Sequence, residues 1–116
     1  MRLPGRLDSV HVMGLRFCPD ILARNERQVT IQESATFGRL AYVEVGALLV
    51  GRIVQTGLGT PRRGGEKGYF EYGGSTVLLF GQAGAWSPDA DILQKTSEQI
   101  ETVVRLGEGI AGVAPR

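Results

Sequence analysis

The sequence predicts a mainly β fold, a barrel or sandwich-like domain of short strands with one C-terminal amphipathic helix, in a single domain over residues 1–116. Three observations predict it. Glycine is frequent, at 17 of 116 residues, and falls between short apolar runs in the way turns punctuate an all-β chain. Within the runs, apolar and polar residues alternate with the period of a half-buried strand. After Ser87-Pro88 the spacing changes to that of a helix. A chain of this length holds one core and buries roughly 65% of its unfolded surface.

Taken in order, Ser9-Val10-His11-Val12-Met13 reads as a short strand on which His11, the sole histidine, is an ordinary side chain. Cys18, between Phe17 and Pro19, is expected to be a small buried hydrophobe. Val29 and Ile31 alternate with polar neighbours up to Glu33-Ser34-Ala35-Thr36, and in the run from Leu40 to Val45 the side chains of Ala41, Val43 and Val45 share a face. Ala47 to Val54 reads as a third strand, with Gly46 and Gly51 marking a bulge or a close backbone approach. Thr56 to Gly65 is too rich in breakers to be regular, and Arg62, Arg63 and Lys67 read as a solvated basic turn, with attraction to anionic lipid head groups as the alternative.

Gly68 to Tyr72 and Thr76 to Phe80 read as short strands on either side of Gly73-Gly74-Ser75. In the tail, Ser87 is the expected N-cap and Pro88 the first helical residue, with Asp89 and Asp91 in the first turn, where the helix dipole favours negative charge. Ile92, Leu93, Thr96, Ile100, Val103 and Val104 form the apolar stripe, Gly107 or Gly109 ends it, and Trp86 anchors its packing.

The tetrad Gly73-Gly74-Ser75-Thr76 is the segment that points to chemistry. Two glycines before a serine allow backbone angles closed to other residues, so the peptide can bend until the Ser75 hydroxyl faces the Gly74 carbonyl. A hydroxyl placed there can attack its own backbone in an N-to-O acyl shift, and elimination and hydrolysis then leave a pyruvoyl group made from Ser75. Such a ketone condenses with a substrate amine and withdraws electrons from a breaking carbon–carboxylate bond. The same tetrad also suits a plain hairpin, with Thr76 to Phe80 as one buried strand and Ser75 making a turn hydrogen bond.

Over residues 22 to 110 the chain resembles the phosphatidylserine decarboxylase family. The resemblance is carried by Asn25-Glu26-Arg27, by Phe37 through Ala47, by Val50-Gly51-Arg52-Ile53, by Gly65 through Phe70 and by Gly73-Gly74-Ser75-Thr76. Asp91-Ile92-Leu93, Ser97, Glu101-Thr102 and Arg105-Leu106-Gly107-Glu108 continue it, closest to the branch with a Gly-Gly-Ser-Thr site. It implies self-cleavage between Gly74 and Ser75, a covalent pyruvoyl cofactor at Ser75, and pyruvoyl-dependent decarboxylation of phosphatidylserine to phosphatidylethanolamine and CO2. The implied pieces are 1–74, part of the β chain, and 75–116, the α chain, which stay associated at a membrane surface as a peripheral enzyme. The family's upstream Asp-Tyr-His segment and second histidine have no match here, so the resemblance implies the C-terminal part of a longer enzyme, with the missing N-terminal part as a partner and the general base unidentified.

Composition removes other classes. Thirteen basic and twelve acidic residues leave a net charge of +1, which argues against nucleic acid as a partner. One cysteine excludes an internal disulfide and a multi-cysteine metal site. No stretch approaches the ~20 apolar residues of a membrane span, and the first residues lack a signal-peptide core. Glycines 57, 59, 64 and 65 lack the spacing of a phosphate loop, and Ser75 is not in a Gly-x-Ser-x-Gly elbow. The remaining readings are a truncated, non-catalytic β-barrel module that binds lipid or a partner, and pyruvoyl chemistry on another amino-acid-derived head group.

Overall fold

The computed structural model describes residues 1–57 and 59–114. Leu58 in the breaker-rich loop, and Pro115 and Arg116 at the end of the expected downstream piece, lie outside the described residues. The elements run β1 (Arg2–Leu3), α1 (Val12–Phe17), α2 (Ile21–Arg24), β2 (Arg27–Ser34), β3 (Gly38–Val45), β4 (Arg52–Gln55), β5 (Gly68–Glu71), β6 (Thr76–Gly81), β7 (Trp86–Pro88), α3 (Ala90–Ser97) and β8 (Ala111–Val113). The mainly β expectation holds, as one four-stranded sheet in the order β1-β2-β3-β6 and two-stranded sheets β4-β5 and β7-β8. None closes into a barrel, and the arrangement is compatible with the sandwich-like alternative.

The chain divides into two compact units, Met1–Ile31 with Ala41–Phe80, and Gln32–Leu40 with Gly81–Arg116. The first unit holds the core of Ile21, Val43, Val45, Ala47 and Val50. Within it β1 meets β2 antiparallel, with Arg2 opposite Gln28, and β4 meets β5 antiparallel, with Ile53 opposite Phe70. Val43 and Val45 are buried on one face of β3, as the alternation requires, and Glu44 between them is buried too, so both faces of this end of the strand are covered.

In the second unit, Ser34 Oγ accepts from the Thr36 and Phe37 amides at 3.2 and 3.1 Å and closes the turn between β2 and β3. β7 and β8 pair antiparallel, and a Cβ on Gly81 would run into the Trp86 indole, so glycine there lets the ring lie against the backbone. Trp86, expected to anchor the packing of the tail helix, instead lies in β7 with its ring against Gly81.

Several local expectations are corrected. Ala47 to Val54 is not one strand. Ala47 and Val50 exchange both backbone hydrogen bonds, at 3.1 and 2.9 Å, around a turn tipped by Leu48 and Leu49, and β4 begins only at Arg52. A continuous apolar run carries no period to show this. Thr76 to Phe80 is a strand but not a buried one, since Val77, Leu79 and Phe80 are exposed. It pairs in a different sheet from β5, which rules out the plain hairpin.

His11 caps α1 instead of lying on a strand, its Nδ1 accepting from the Met13 amide at 3.2 Å. Cys18, the C-cap residue of α1, is exposed rather than buried.

The tail helix is shorter than its apolar stripe. Ser87 and Pro88 belong to β7, paired with Gly112 and Ala111, so Asp89 is the N-cap of α3. The helix stops at Ser97 because Gln99 takes a φ of 60°, while the amides of Gln99 and Ile100 return to the Thr96 and Lys95 carbonyls at 3.0 and 2.9 Å. That is a Schellman closure with glutamine in the usual place of glycine. Ile100, Val103 and Val104 lie beyond it and are exposed.

Candidate functional site

The site begins where β5 ends. Tyr72 and Gly73 both have positive φ, 69° and 138°, and swing the chain from β5, bonded to β4, into β6, bonded to β3. A Cβ on Gly73 or Gly74 would meet nothing within 4 Å. Glycine at 73 therefore serves backbone angle and not space, and the exposed Tyr72 is held in a conformation that costs an L-residue about 1–2 kcal/mol.

The reversal delivers Ser75 against the end of β3, where its Oγ donates to the Val45 carbonyl at 2.5 Å. Val45 has no exposed surface, so this acceptor is fixed by the core. A carbonyl can hold the hydroxyl but cannot remove its proton.

Ser75 opens onto a depression of about 360 Å³ lined by residues 9–11, by 47, 48 and 50 and by 74–76. His11 is therefore brought to the same hollow as Ser75, which its setting in the sequence does not indicate. Its Nδ1 accepts from the Met13 amide, so that nitrogen is engaged in capping α1.

Two groups that sequence reasoning missed hold this geometry. Asn25 is wholly buried, and its Nδ2 donates to the carbonyls of Asp8 and Gly46, each at 2.8 Å, while its Oδ1 accepts from the Asp8 amide at 3.1 Å. It ties the segment before residues 9–11 to the end of β3, and so fixes two walls of the hollow. Gly46 itself has the Leu7 Cδ2 3.1 Å from where a Cβ would lie, and its amide donates to the Glu26 carbonyl at 2.7 Å, the close backbone approach expected of this glycine.

The second group is an ion pair. The buried Glu44 Oε2 accepts from Lys67 Nζ at 2.6 Å and from Gln55 Nε2 at 3.0 Å, and Lys67 Nζ also donates to Gln55 Oε1 at 2.7 Å. Lys67 further lies over the Tyr42 ring, 5.0 Å from its centroid. Burial, followed by the charge of Glu44, pushes the Tyr42 phenol above its ordinary value. Lys67 is thus not part of a solvated basic turn, whereas Arg62 and Arg63 are exposed.

Glu66 and Glu71 are not paired with each other. Glu66 accepts from Thr56 Oγ1 at 2.6 Å, and Glu71 faces Arg52 at 3.4 Å. Among the described residues no three His, Cys, Asp or Glu side chains gather as a metal site, and no helix is long and apolar enough to cross a membrane.

Compared with known families, residues 1–112 match the profile described as phosphatidylserine decarboxylase. The chain belongs to the phosphatidylserine decarboxylase family. The phosphatidylserine decarboxylase proenzyme of Ruminiclostridium cellulolyticum is 39% identical over 111 residues, covering 94% of this chain and 37% of that protein. The proenzyme of Chlamydia trachomatis serovar L2 is 41% identical over 113 residues and that of Clostridium tetani 40% over 111, with the same shares of each chain. The chain thus spans a little over a third of the length of these decarboxylase relatives. No solved structure matches it.

Proposed function

We propose that this chain is the portion of a phosphatidylserine decarboxylase that is cut between Gly74 and Ser75, and that the processed protein forms phosphatidylethanolamine and CO2 from phosphatidylserine at a membrane surface, in phospholipid biosynthesis. The observation that carries the reading is Ser75, set after a positive-φ reversal and facing an open hollow, in a chain of this family.

In the cut, Ser75 Oγ leaves the Val45 carbonyl and adds to the Gly74 carbonyl carbon, and the Gly74–Ser75 C–N bond breaks to give an ester and a free amine. Loss of the Ser75 Cα proton expels Gly74 as its carboxylate. Water then replaces the nitrogen, released as ammonia, and leaves the pyruvoyl group. That group supplies an electron sink for decarboxylation. This chain's part is to present the hydroxyl through the Tyr72-Gly73 turn and to hold it at Val45. The base that takes the Ser75 proton is assigned to the region of the relatives that this chain does not span, because Ser75 Oγ bonds to the Val45 carbonyl and His11 Nδ1 is engaged by the Met13 amide.

The bond from Ser75 Oγ to a carbonyl also suits a second reading, a non-catalytic module that keeps the fold. Intact-mass measurement of the purified chain, alone and with the relatives' upstream segment added in trans, separates the two. The decarboxylase reading expects fragments meeting at Gly74 and Ser75, the second blocked by a carbonyl. Ser75→Ala should abolish the cut and His11→Ala should leave it within a few-fold. A chain that stays whole under both conditions supports the silent module.

A further inference from the structure

The turn that walls the Ser75 hollow breaks two local rules at once. Leu48 and Leu49 form its tip and are 60% and 81% exposed, so two large apolar side chains are offered to solvent side by side. Leu49 also has a φ of 67°, in a turn position that asks for glycine or asparagine. A sequence selected only for stability would place a small or polar residue there, and such conflicts between local preference and observed residue concentrate where function requires them.

Further exposed apolar residues lie close in sequence to another part of the hollow's lining. Leu48 and His11 both line the hollow, and the Leu48 amide reaches the Asp8 carbonyl at 3.4 Å. His11 leads directly into α1, whose first residues Val12 and Met13 are 40% and 51% exposed. Arg16 follows at i+4 from Val12 and i+3 from Met13, a helical neighbour of each, and no Asp or Glu side chain pairs with it among the described residues. An apolar rim with a free cation beside it matches a bilayer of anionic lipid, with acyl chains under the leucines and head groups at the guanidinium.

We infer that the Leu48-Leu49 turn and the first turn of α1 insert into the surface of an anionic bilayer and set the mouth of the Ser75 hollow at head-group level. The inference rests on the lipid-substrate reading and specifies which surface meets the membrane. A substrate whose tails remain in the bilayer then reaches Ser75 by its head group alone.

The test is co-sedimentation of the whole 116-residue chain with phosphatidylcholine vesicles with and without phosphatidylglycerol, which is not the proposed substrate. Wild type is compared with Leu48→Asn/Leu49→Gly and with Leu49→Gly alone, and melting temperature and sedimentation velocity are recorded for each. Glycine relieves the positive φ, so both variants should melt no lower than wild type. The expected result is binding by wild type that is stronger on the anionic vesicles, at least about tenfold weaker binding by the double variant, and an intermediate loss for Leu49→Gly.

Absence of wild-type binding overturns the inference, as does unchanged binding by the variants. A wild-type dimer that becomes monomeric in the double variant, with vesicle binding intact, overturns it in favour of a second copy of the chain. None of these outcomes depends on cleavage at Ser75, so failure here and failure of the decarboxylase reading are told apart by intact mass.

Discussion

Replacing Asn25 with alanine removes three hydrogen bonds at once and leaves the Asp8 amide and the carbonyls of Asp8 and Gly46 to find other partners around a position with no exposed surface. A buried polar group stripped of its partner costs about 1–3 kcal/mol. Asn25→Ala should therefore lower unfolding free energy by about 3 kcal/mol in chemical denaturation, and speed hydrogen exchange at Asp8. Aspartate would not rescue it, since both donors are lost and a charge is buried. In the sequence Asn25 was legible only as one residue of a family match, because nothing local says that an asparagine after α2 will meet residues 8 and 46. At Ser75 the local signal was the backbone reversal that two glycines permit, which the chain makes with positive φ at Tyr72 and Gly73, while the chemistry of Ser75 rested on the family match. His11 was misread for the opposite reason. A lone histidine among apolar residues fits a strand or a cap equally, and the deciding contact, Nδ1 with the Met13 amide, depends on where α1 begins.

Between elements, the Glu44–Lys67–Gln55 cluster joins β3 to β4 and to the residue before β5, and these are the strands whose ends bring Val45 and Ser75 together. Removing Lys67 strands a buried carboxylate, and breaking a buried pair from one side costs about 3 kcal/mol or more. Lys67→Met should destabilise the chain by about that amount, whereas Glu44→Met with Lys67→Met should recover most of the loss; thermal melts of both singles and the double measure the coupling. Neither residue stands out in sequence. Glu44 alternates with Val43 and Val45 and so reads as solvent-facing, and only the covering of both faces of β3 reverses that. The same holds for α3, whose helical spacing continues past Ser97 while its backbone closes on Gln99, a residue with no intrinsic stop signal.

For the molecule as a whole, the cut proposed at Gly74 falls between β5 and β6, and the downstream piece carries β6, which hydrogen-bonds to β3 of the upstream piece. Strand pairing and the Ser75 neighbourhood of the core should therefore hold the pieces 1–74 and 75–116 together without a peptide bond. They should co-elute in native gel filtration and separate only in denaturant, and pieces that part in buffer would show that the pairing is too weak to do so.

What the sequence by itself determined is the part written in local terms. It set the strand-forming alternation of β2 and β3, the glycine-permitted reversal before Ser75, the absence of a disulfide, and enough ordered residue matches to indicate the family. The tertiary structure alone decided that an apolar run breaks into the exposed Leu48-Leu49 turn, that Glu44 and Lys67 are buried together, that β5 and β6 join different sheets, and that His11 and Ser75 open on one hollow. Each of these depends on which backbone and side-chain groups meet across long stretches of chain. Such meetings are set by the sum of all packing and hydrogen-bond terms, and no window of sequence contains that sum.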